Sequence, residues 1–332
     1  MRDVSSPFSS RRARIRELQT LLAKMGIEVE LGHEAVARPA DLVVATSWRT
    51  AFDVAACNAP RKAYFIQDYE PWFYPHGDQY LKAEQSYRLG LTPIVLGRWL
   101  AQKVGGLSSI TPFVMPFTVD RQVYARETSP RRSKAICYLH QPEKPRRCAA
   151  LAQTTLRIVQ ERRPDIAICS YGSVRAPELP TRHLGVQSRQ ACAKLYNQAS
   201  VGLCISASNP SRIPFEMAAC GLPVVDIDAE NTREDALPHA LLLTPADPAS
   251  LAAALIRAVD AAYYENLTSP LIDGNQVEFD ELDTGALAFR QILLEPPVHV
   301  SVQTAAVYVE KSHAWQRLRR RLIKSYIAFF ED

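Results

Sequence analysis

The sequence predicts an α/β protein built from two Rossmann-like domains that face each other across a cleft. Short runs rich in β-branched residues alternate with longer segments of helical apolar spacing, which is typical of parallel α/β units. The length of 332 residues is enough for about two domains. A polar stretch divides the pattern, so we predict a first domain over residues 1–120, a linker over 121–133 and a second domain over 134–262. The extension, 263–332, is predicted to be helical and to pack back on the first domain.

The first domain alternates short apolar runs with helical segments. Strands are predicted at residues 27–31, 41–46, 62–67, 93–96 and 112–117, and helices at 11–25, 78–88 and 98–104. The second domain has a more regular pattern. Strands are predicted at 134–138, 166–169, 201–205 and 224–227, and helices at 146–162, 189–198, 214–220 and 247–261. Gly221 and Pro223 are typical residues after a helix end.

Composition excludes several classes of protein. Hydrophobic residues are 47% and charged residues 22%, and the net charge of +4 is too small to indicate a nucleic-acid partner. No apolar run is long enough for a membrane span, and the first residues lack the apolar core of a signal peptide. The seven cysteines form no CxxC pair, so we predict reduced, packed thiols in a cytoplasmic protein without a metal site.

The segment from Ser206 to Val225 carries the residues most typical of a ligand site. It follows an apolar run and opens a helix, whose exposed amides suit a phosphate group. Asn209 and Ser211 are good capping residues, and Arg212 adds a cation. The Glu216 carboxylate is suited to accept two hydroxyls of a ribose or hexose. The alternative is an ordinary capped helix with a glutamate in its first turns.

A basic cluster lies at the start of the predicted helix 146–162. Lys144, Arg146 and Arg147 stand where cations are mildly unfavourable, because a helix N-terminus carries partial positive charge. Their presence therefore indicates an anionic ligand, and the alternative is a solvated basic helix start.

Residues 134–260 resemble the C-terminal domain of GT-B glycosyltransferases, especially glycosyltransferase family 4. The run Glu216-Met-Ala-Ala-Cys-Gly-Leu-Pro-Val-Val matches the family's second acidic residue and the turn after it, whereas Ser208 replaces the first acidic residue. The resemblance implies that Glu216 holds the donor ribose and that a loop with Gly172 binds the base. It also implies that the basic cluster holds the donor pyrophosphate without a metal or other cofactor.

The segment Tyr64–Asp78, with Gln-Asp-x-Glu-Pro, resembles bacterial rhamnosyltransferases of rhamnan or O-antigen synthesis. Gln67 and His76 are predicted on the acceptor or sugar side. Asp68 or Glu70 is the candidate general base if the reaction inverts the anomeric carbon, although the family resemblance suggests retention. The alternative for Asp68 and Glu70 is a turn in which both cap local backbone.

We therefore expect transfer of rhamnose from dTDP-rhamnose to a surface polysaccharide or a lipid-linked glycan. The alternatives are a GDP- or UDP-hexose donor and a truncated, non-catalytic protein that binds sugar nucleotides. First domains of this kind usually open with a strand and a glycine loop, so we expect this one to be short or incomplete. A basic helix over Arg317–Lys324 either contacts the inner face of the plasma membrane or packs on the first domain.

Overall fold

The computed structural model describes residues 19–20, 22–24, 26, 38–127, 133–237, 240–264 and 283–294. The predicted strand 27–31 and the basic helix over Arg317–Lys324 lie outside the described residues, as does most of the predicted helix 11–25. No helix in the described ranges is long and apolar enough to cross a membrane.

The first domain contains a parallel sheet of four strands in the order β1-β2-β3-β4. The strands are β1 (Leu42–Ala45), β2 (Arg61–Ile66), β3 (Thr92–Leu96) and β4 (Phe113–Met115). The helices between them are α1 (Trp48–Ala56), α2 (Asp78–Ser86) and α3 (Arg98–Gly105). Helix α1 is absent from the prediction. Its start is fixed by a capping box between Ser47 and Thr50, and it buries Trp48 and Ala51.

The second domain contains a parallel sheet of six strands in the order β10-β9-β8-β5-β6-β7. The strands are β5 (Ala135–Leu139), β6 (Ala167–Tyr171), β7 (Arg182–His183), β8 (Val201–Leu203), β9 (Val224–Ile227) and β10 (Leu241–Thr244). The helices are α4 (Ala149–Arg162), α5 (Arg189–Gln198), α6 (Ile213–Ala219), α7 (Glu230–Glu234) and α8 (Pro248–Tyr264). Strands β7 and β10 and helix α7 are further elements that the sequence pattern did not reveal.

The strand order of the second sheet reverses between β5 and β8. Successive strands step outward from β5 to β7, and the chain then returns to place β8 on the other side of β5. In doubly wound sheets, ligands bind beyond the carboxyl ends of the two strands at such a switch point. Loops 140–148 and 204–212 leave the sheet at these two strand ends, so they form the expected site.

Helices cover both faces of the second sheet. On one face, Leu156 of α4 and Leu251 of α8 are fully buried in one apolar cluster. On the other face, Tyr196 of α5 and Met217 of α6 are fully buried in a second cluster. A last helix, α9 (Asp283–Leu294), lies against β4 of the first sheet, where Ile292 packs with apolar residues of β2 and β3.

One predicted helix start is wrong. The helix predicted from Arg146 begins at Ala149, because Pro145–Arg147 form a separate 3-10 turn and Cys148 adopts a left-handed conformation with φ of 47°. The helix predicted over 214–220 is confirmed within one residue as Ile213–Ala219, with Arg212 as its N-cap residue. The Ser211 hydroxyl accepts a bond from the Ile213 amide at 3.3 Å.

Candidate functional site

The two domains meet through residues that follow β2, β3 and β8. The Asn209 side-chain amide donates to the Gln67 carbonyl at 2.9 Å and to the Leu96 carbonyl at 2.8 Å. Asn209 therefore joins the domains, and the prediction that it caps a helix is wrong. A second junction lies nearby, where the Asp235 carboxylate accepts from the backbone amides of Arg98 and Trp99 at 2.7 and 3.1 Å.

Asp68 lies at the same boundary and is bound by the second domain. Its carboxylate accepts from the Asn209 backbone amide at 2.8 Å and from the Ser208 hydroxyl at 2.9 Å. Arg146 places its Nε 3.7 Å from the same carboxylate and stacks on the Phe73 ring at 4.6 Å. Burial raises the pKa of Asp68, and these donors partly offset the increase. The structure thus brings Asp68 together with predicted donor-side residues. We call the contacts of Asp68 with Ser208, Asn209 and Arg146 the clasp between the domains.

Glu70 lies inside the first domain. Its carboxylate accepts from the Trp48 amide at 2.8 Å, at the start of α1, and from the Tyr64 hydroxyl at 3.0 Å. Burial raises its pKa to about 7, and these hydrogen bonds only partly offset that effect. Since both oxygens are engaged by its own domain, the geometry favours a structural role over the predicted role of general base.

Three predicted cations gather in the loop after β5. Lys144 precedes the 3-10 turn, and Arg146 and Arg147 lie within it. Burial raises the pKa of the Asp226 carboxyl to about 6, and the nearby Arg147 guanidinium offsets a small part of that increase. The Arg147 Nε is buried and has no hydrogen-bond partner in the described structure. An unpaired buried donor of this kind is expensive in a folded protein unless a ligand or water meets it.

Unpartnered buried polar atoms cluster at the switch point. Among the described residues, four buried side-chain atoms have no hydrogen-bond partner: His140 Nε2, Arg147 Nε, Asn209 Oδ1 and Thr155 Oγ1. The first three belong to the loops that follow β5 and β8. Two of them are nitrogens and one is an amide oxygen, so together they offer polar contacts to a ligand at this strand edge.

Glu216 lies on the side of the site that faces the linker. Its side chain is buried and lies near Tyr124. Burial raises the pKa of Glu216, and Arg212 and Arg189 lower it in part. Burial raises the pKa of the Cys204 thiol just after β8, and the nearby Arg147 and Glu216 shift it in opposite directions. The predicted cation and the predicted carboxylate therefore lie on the same part of the second domain.

The remaining predicted residues occupy different positions. Gly172 has φ of 106°, and a Cβ there would lie 2.6 Å from the Leu139 side chain, so this loop passes tightly over the end of β5. Arg212 is exposed at the start of α6. His76 is exposed and packs on Tyr80 of its own segment, with ring centroids 4.7 Å apart.

A scaffold of buried polar residues holds the loop after β8, and the sequence reasoning missed it. Asp226 is fully buried at β9 and accepts from the Ser206 amide at 2.9 Å and the Ser206 hydroxyl at 2.7 Å. Asn231 donates to the carbonyls of Ser206 and Ser208. The one feature that could have revealed this scaffold is an acidic residue within the apolar run Val-Val-Asp-Ile.

No group of three or more metal-ligating side chains lies together in the part of the chain that the structure describes. The expectation of metal-independent chemistry stays a prediction.

Two parallel α/β domains that meet in this way match the GT-B fold. Residues 134–256 match the family model described as WsaF, C-terminal domain. A relative, the O-antigen biosynthesis protein RfbC of Myxococcus xanthus, is 31% identical over 208 residues. That match covers 58% of this chain and 16% of the relative, so the chain spans a small part of that protein's length.

Solved structures share the fold at low sequence identity. HepE of Anabaena in complex with UDP-glucose gives a TM-score of 0.61 at 14% identity, covering 83% of this chain and 88% of HepE. Sucrose-phosphate synthase of Thermosynechococcus elongatus gives 0.60 at 13% identity, covering 85% of this chain and 76% of that enzyme. TarM gives 0.61 at 11% identity, with 79% of this chain and 57% of TarM covered. These matches establish the GT-B fold.

Proposed function

We propose that this chain is a glycosyltransferase that takes its sugar from a nucleoside diphosphate donor bound at the switch point of the second domain. The observation that carries the proposal is the convergence there of Lys144, Arg146 and Arg147 with buried polar atoms that have no protein partner. A diphosphate supplies negative charge that complements this basic loop and a hydrogen-bond acceptor for the unpartnered Arg147 Nε.

The charges fit the leaving group of such a reaction. Fixed cations stabilise the charge that develops on a departing diphosphate, and they do so most strongly in a site from which water is excluded. We assign this role to Arg147 first, because it is partly buried and its Nε has no partner. Glu216, which is buried beside Tyr124, is assigned to the ribose hydroxyls of the donor.

The proposed transfer breaks the bond between the anomeric carbon and the oxygen of the terminal phosphate. The electron pair of that bond leaves with the nucleoside diphosphate. An acceptor hydroxyl oxygen forms the new bond to the anomeric carbon, and its proton passes to the departing phosphate or to solvent. Retention of configuration, which the family resemblance implies, requires no carboxylate base. The carboxylates of Asp68 and Glu70 already accept hydrogen bonds within the protein, which is consistent with retention.

The proposed product is a surface polysaccharide. The family model on residues 134–256 and the similarity to a protein named for O-antigen biosynthesis support this class of acceptor. The proposed donor is dTDP-rhamnose, on the resemblance of the segment around Gln67–Glu70 to rhamnosyltransferases. A GDP- or UDP-hexose is the rival donor. Cytoplasmic location and membrane contact through the basic C-terminal helix remain predictions.

The direct test is a transfer assay on the full chain with dTDP-rhamnose and with GDP-, UDP- and ADP-sugars, run beside calorimetry of donor binding. We expect one donor to bind and to release its nucleoside diphosphate only when a glycan acceptor is present. Arg147→Ala should lose this activity, whereas Arg257→Ala, an exposed arginine on α8, should retain it. Donor binding without transfer to any acceptor would favour the non-catalytic alternative, and absence of binding would refute both.

A further inference from the structure

Trp72 is the most exposed Trp, Phe or Tyr among the residues whose side chains the structure describes. It lies in a 3-10 turn, Glu70–Phe73, just after β2, and 41% of it is exposed. Single exposed apolar residues are common on protein surfaces, so exposure alone carries no function. The surroundings of Trp72 supply the argument.

A rigid cluster of side chains braces the Trp72 indole. The rings of Tyr69 and Trp99, which are both buried, lie 5.4 and 5.3 Å from it. The Lys103 ammonium lies 5.2 Å from the Trp72 ring. Aromatic contacts and a nearby cation fix the ring, so a ligand that stacks on it would lose little further side-chain freedom.

This cluster borders the boundary between the domains on two sides. The Arg146 guanidinium of the second domain stacks on the ring of Phe73, the residue after Trp72, at 4.6 Å from the ring centroid. On the other side, the Trp99 amide donates to Asp235, and Lys103 lies 3.9 Å from Glu230, both in the second domain. The exposed indole therefore lies beside the same interdomain region that holds the proposed donor.

We propose that Trp72 is a stacking platform for one pyranose ring of the acceptor glycan. A pyranose presents a face of C–H groups with partial positive charge, which is complementary to the negative face of an indole. Its hydroxyls at the ring edge stay in water or meet polar neighbours such as Lys103. The assignment of this ring to the acceptor rests on the proposed function, because the donor is placed at the switch point of the other domain.

A binding experiment tests the platform without any transfer. The chain has four tryptophans, so the full chain labelled with ¹⁵N-tryptophan gives at most four indole N–H resonances, and Trp72→Phe identifies the one from Trp72. The probes are methyl α-L-rhamnopyranoside and methyl β-D-galactopyranoside, with glycerol as the non-pyranose control. We expect a saturable shift of the Trp72 resonance with at least one pyranoside and none with glycerol. No shift with either pyranoside would overturn the proposal.

Kinetics separate this platform from the donor site. In a preparation that transfers sugar, Trp72→Ala should raise the acceptor KM about tenfold, the scale of losing one stacked ring, with the donor Kd unchanged. Trp72→Phe should recover most of the loss, and Leu81→Ala, another exposed apolar residue of this domain, should have no effect. A raised donor Kd in Trp72→Ala with an unchanged acceptor KM would refute the platform and leave the donor proposal intact.

An exposed tryptophan beside a lysine is also found at membrane interfaces. Flotation with anionic phosphatidylglycerol vesicles tests this second role. If Trp72→Ala abolishes flotation and leaves the acceptor KM unchanged, the glycan platform is wrong.

Discussion

The strand ends of the two domains use buried polar groups in different ways. After β2 of the first domain, the Glu70 carboxylate is satisfied by Trp48 and Tyr64 of its own domain. After β5 and β8 of the second domain, His140, Arg147 and Asn209 each keep a buried polar atom without a protein partner. Residue type does not distinguish these cases, since all are residues typical of active sites. The presence or absence of partners distinguishes structural groups from groups available to a ligand.

The second domain also contains satisfied polar groups, and they provide the largest expected effect on stability. Asp226→Ala removes the acceptor of the Ser206 amide and hydroxyl and leaves both buried donors unpaired. We expect a loss of about 3 kcal/mol in the free energy of unfolding, measured by urea denaturation. A loss below about 1 kcal/mol would show that Asp226 does not organise the loop after β8.

A pH experiment tests the structural role of Glu70. Its folded-state pKa is raised from 4.5 to about 7, so its ionisation disfavours the folded state as the pH rises through this range. Glu70→Gln removes that ionisation and keeps the shape of the side chain. The stability of the wild-type protein relative to this variant should therefore fall by about 2–3 kcal/mol between these two pH values. The measurement is urea unfolding of both proteins across this range, and a constant difference would contradict the assignment.

The clasp between the domains is expected to give the smallest effect. Asp68 and Ser208 share one hydrogen bond across the boundary. A double-mutant cycle with Asp68→Ala and Ser208→Ala should give a coupling of about 1 kcal/mol in the free energy of unfolding. The cycle of Asp68→Ala with Leu81→Ala is the control and should give a coupling near zero. Equal couplings in the two cycles would show that the bond does not join the domains in solution.

Much of the second domain could be predicted from the sequence. The predicted bounds of α5, Arg189–Gln198, and of β9, Val224–Ile227, agree with the structure, because each has a regular apolar spacing and a clear end. The basic cluster follows β5 as predicted, but it lies in a loop and a 3-10 turn and not at a helix start. The start of α4 was misplaced, since the 3-10 turn at Pro145 and the left-handed Cys148 leave no periodic trace in the sequence.

The site could be predicted only in part, because its decisive contacts are between distant residues. The bond from Asn209 to Asp68 joins positions 141 residues apart, and no local spacing indicates it. The same holds for Glu70, whose partner Trp48 belongs to another element. Local sequence indicates which side chains have the chemistry to bind a ligand. Tertiary packing decides which of them already have hydrogen-bond partners within the protein.

The measurement that tests the central claim most directly is calorimetric titration of UDP and dTDP into wild-type protein, Arg147→Ala and Glu216→Ala. Arg257→Ala serves as the control. We predict that each site substitution weakens binding of the preferred nucleoside diphosphate by about 1.5–3 kcal/mol, the range for hydrogen bonds to charged groups, and that the control binds as wild type does. Unchanged affinity in both site variants would contradict a diphosphate site at the switch point of the second domain.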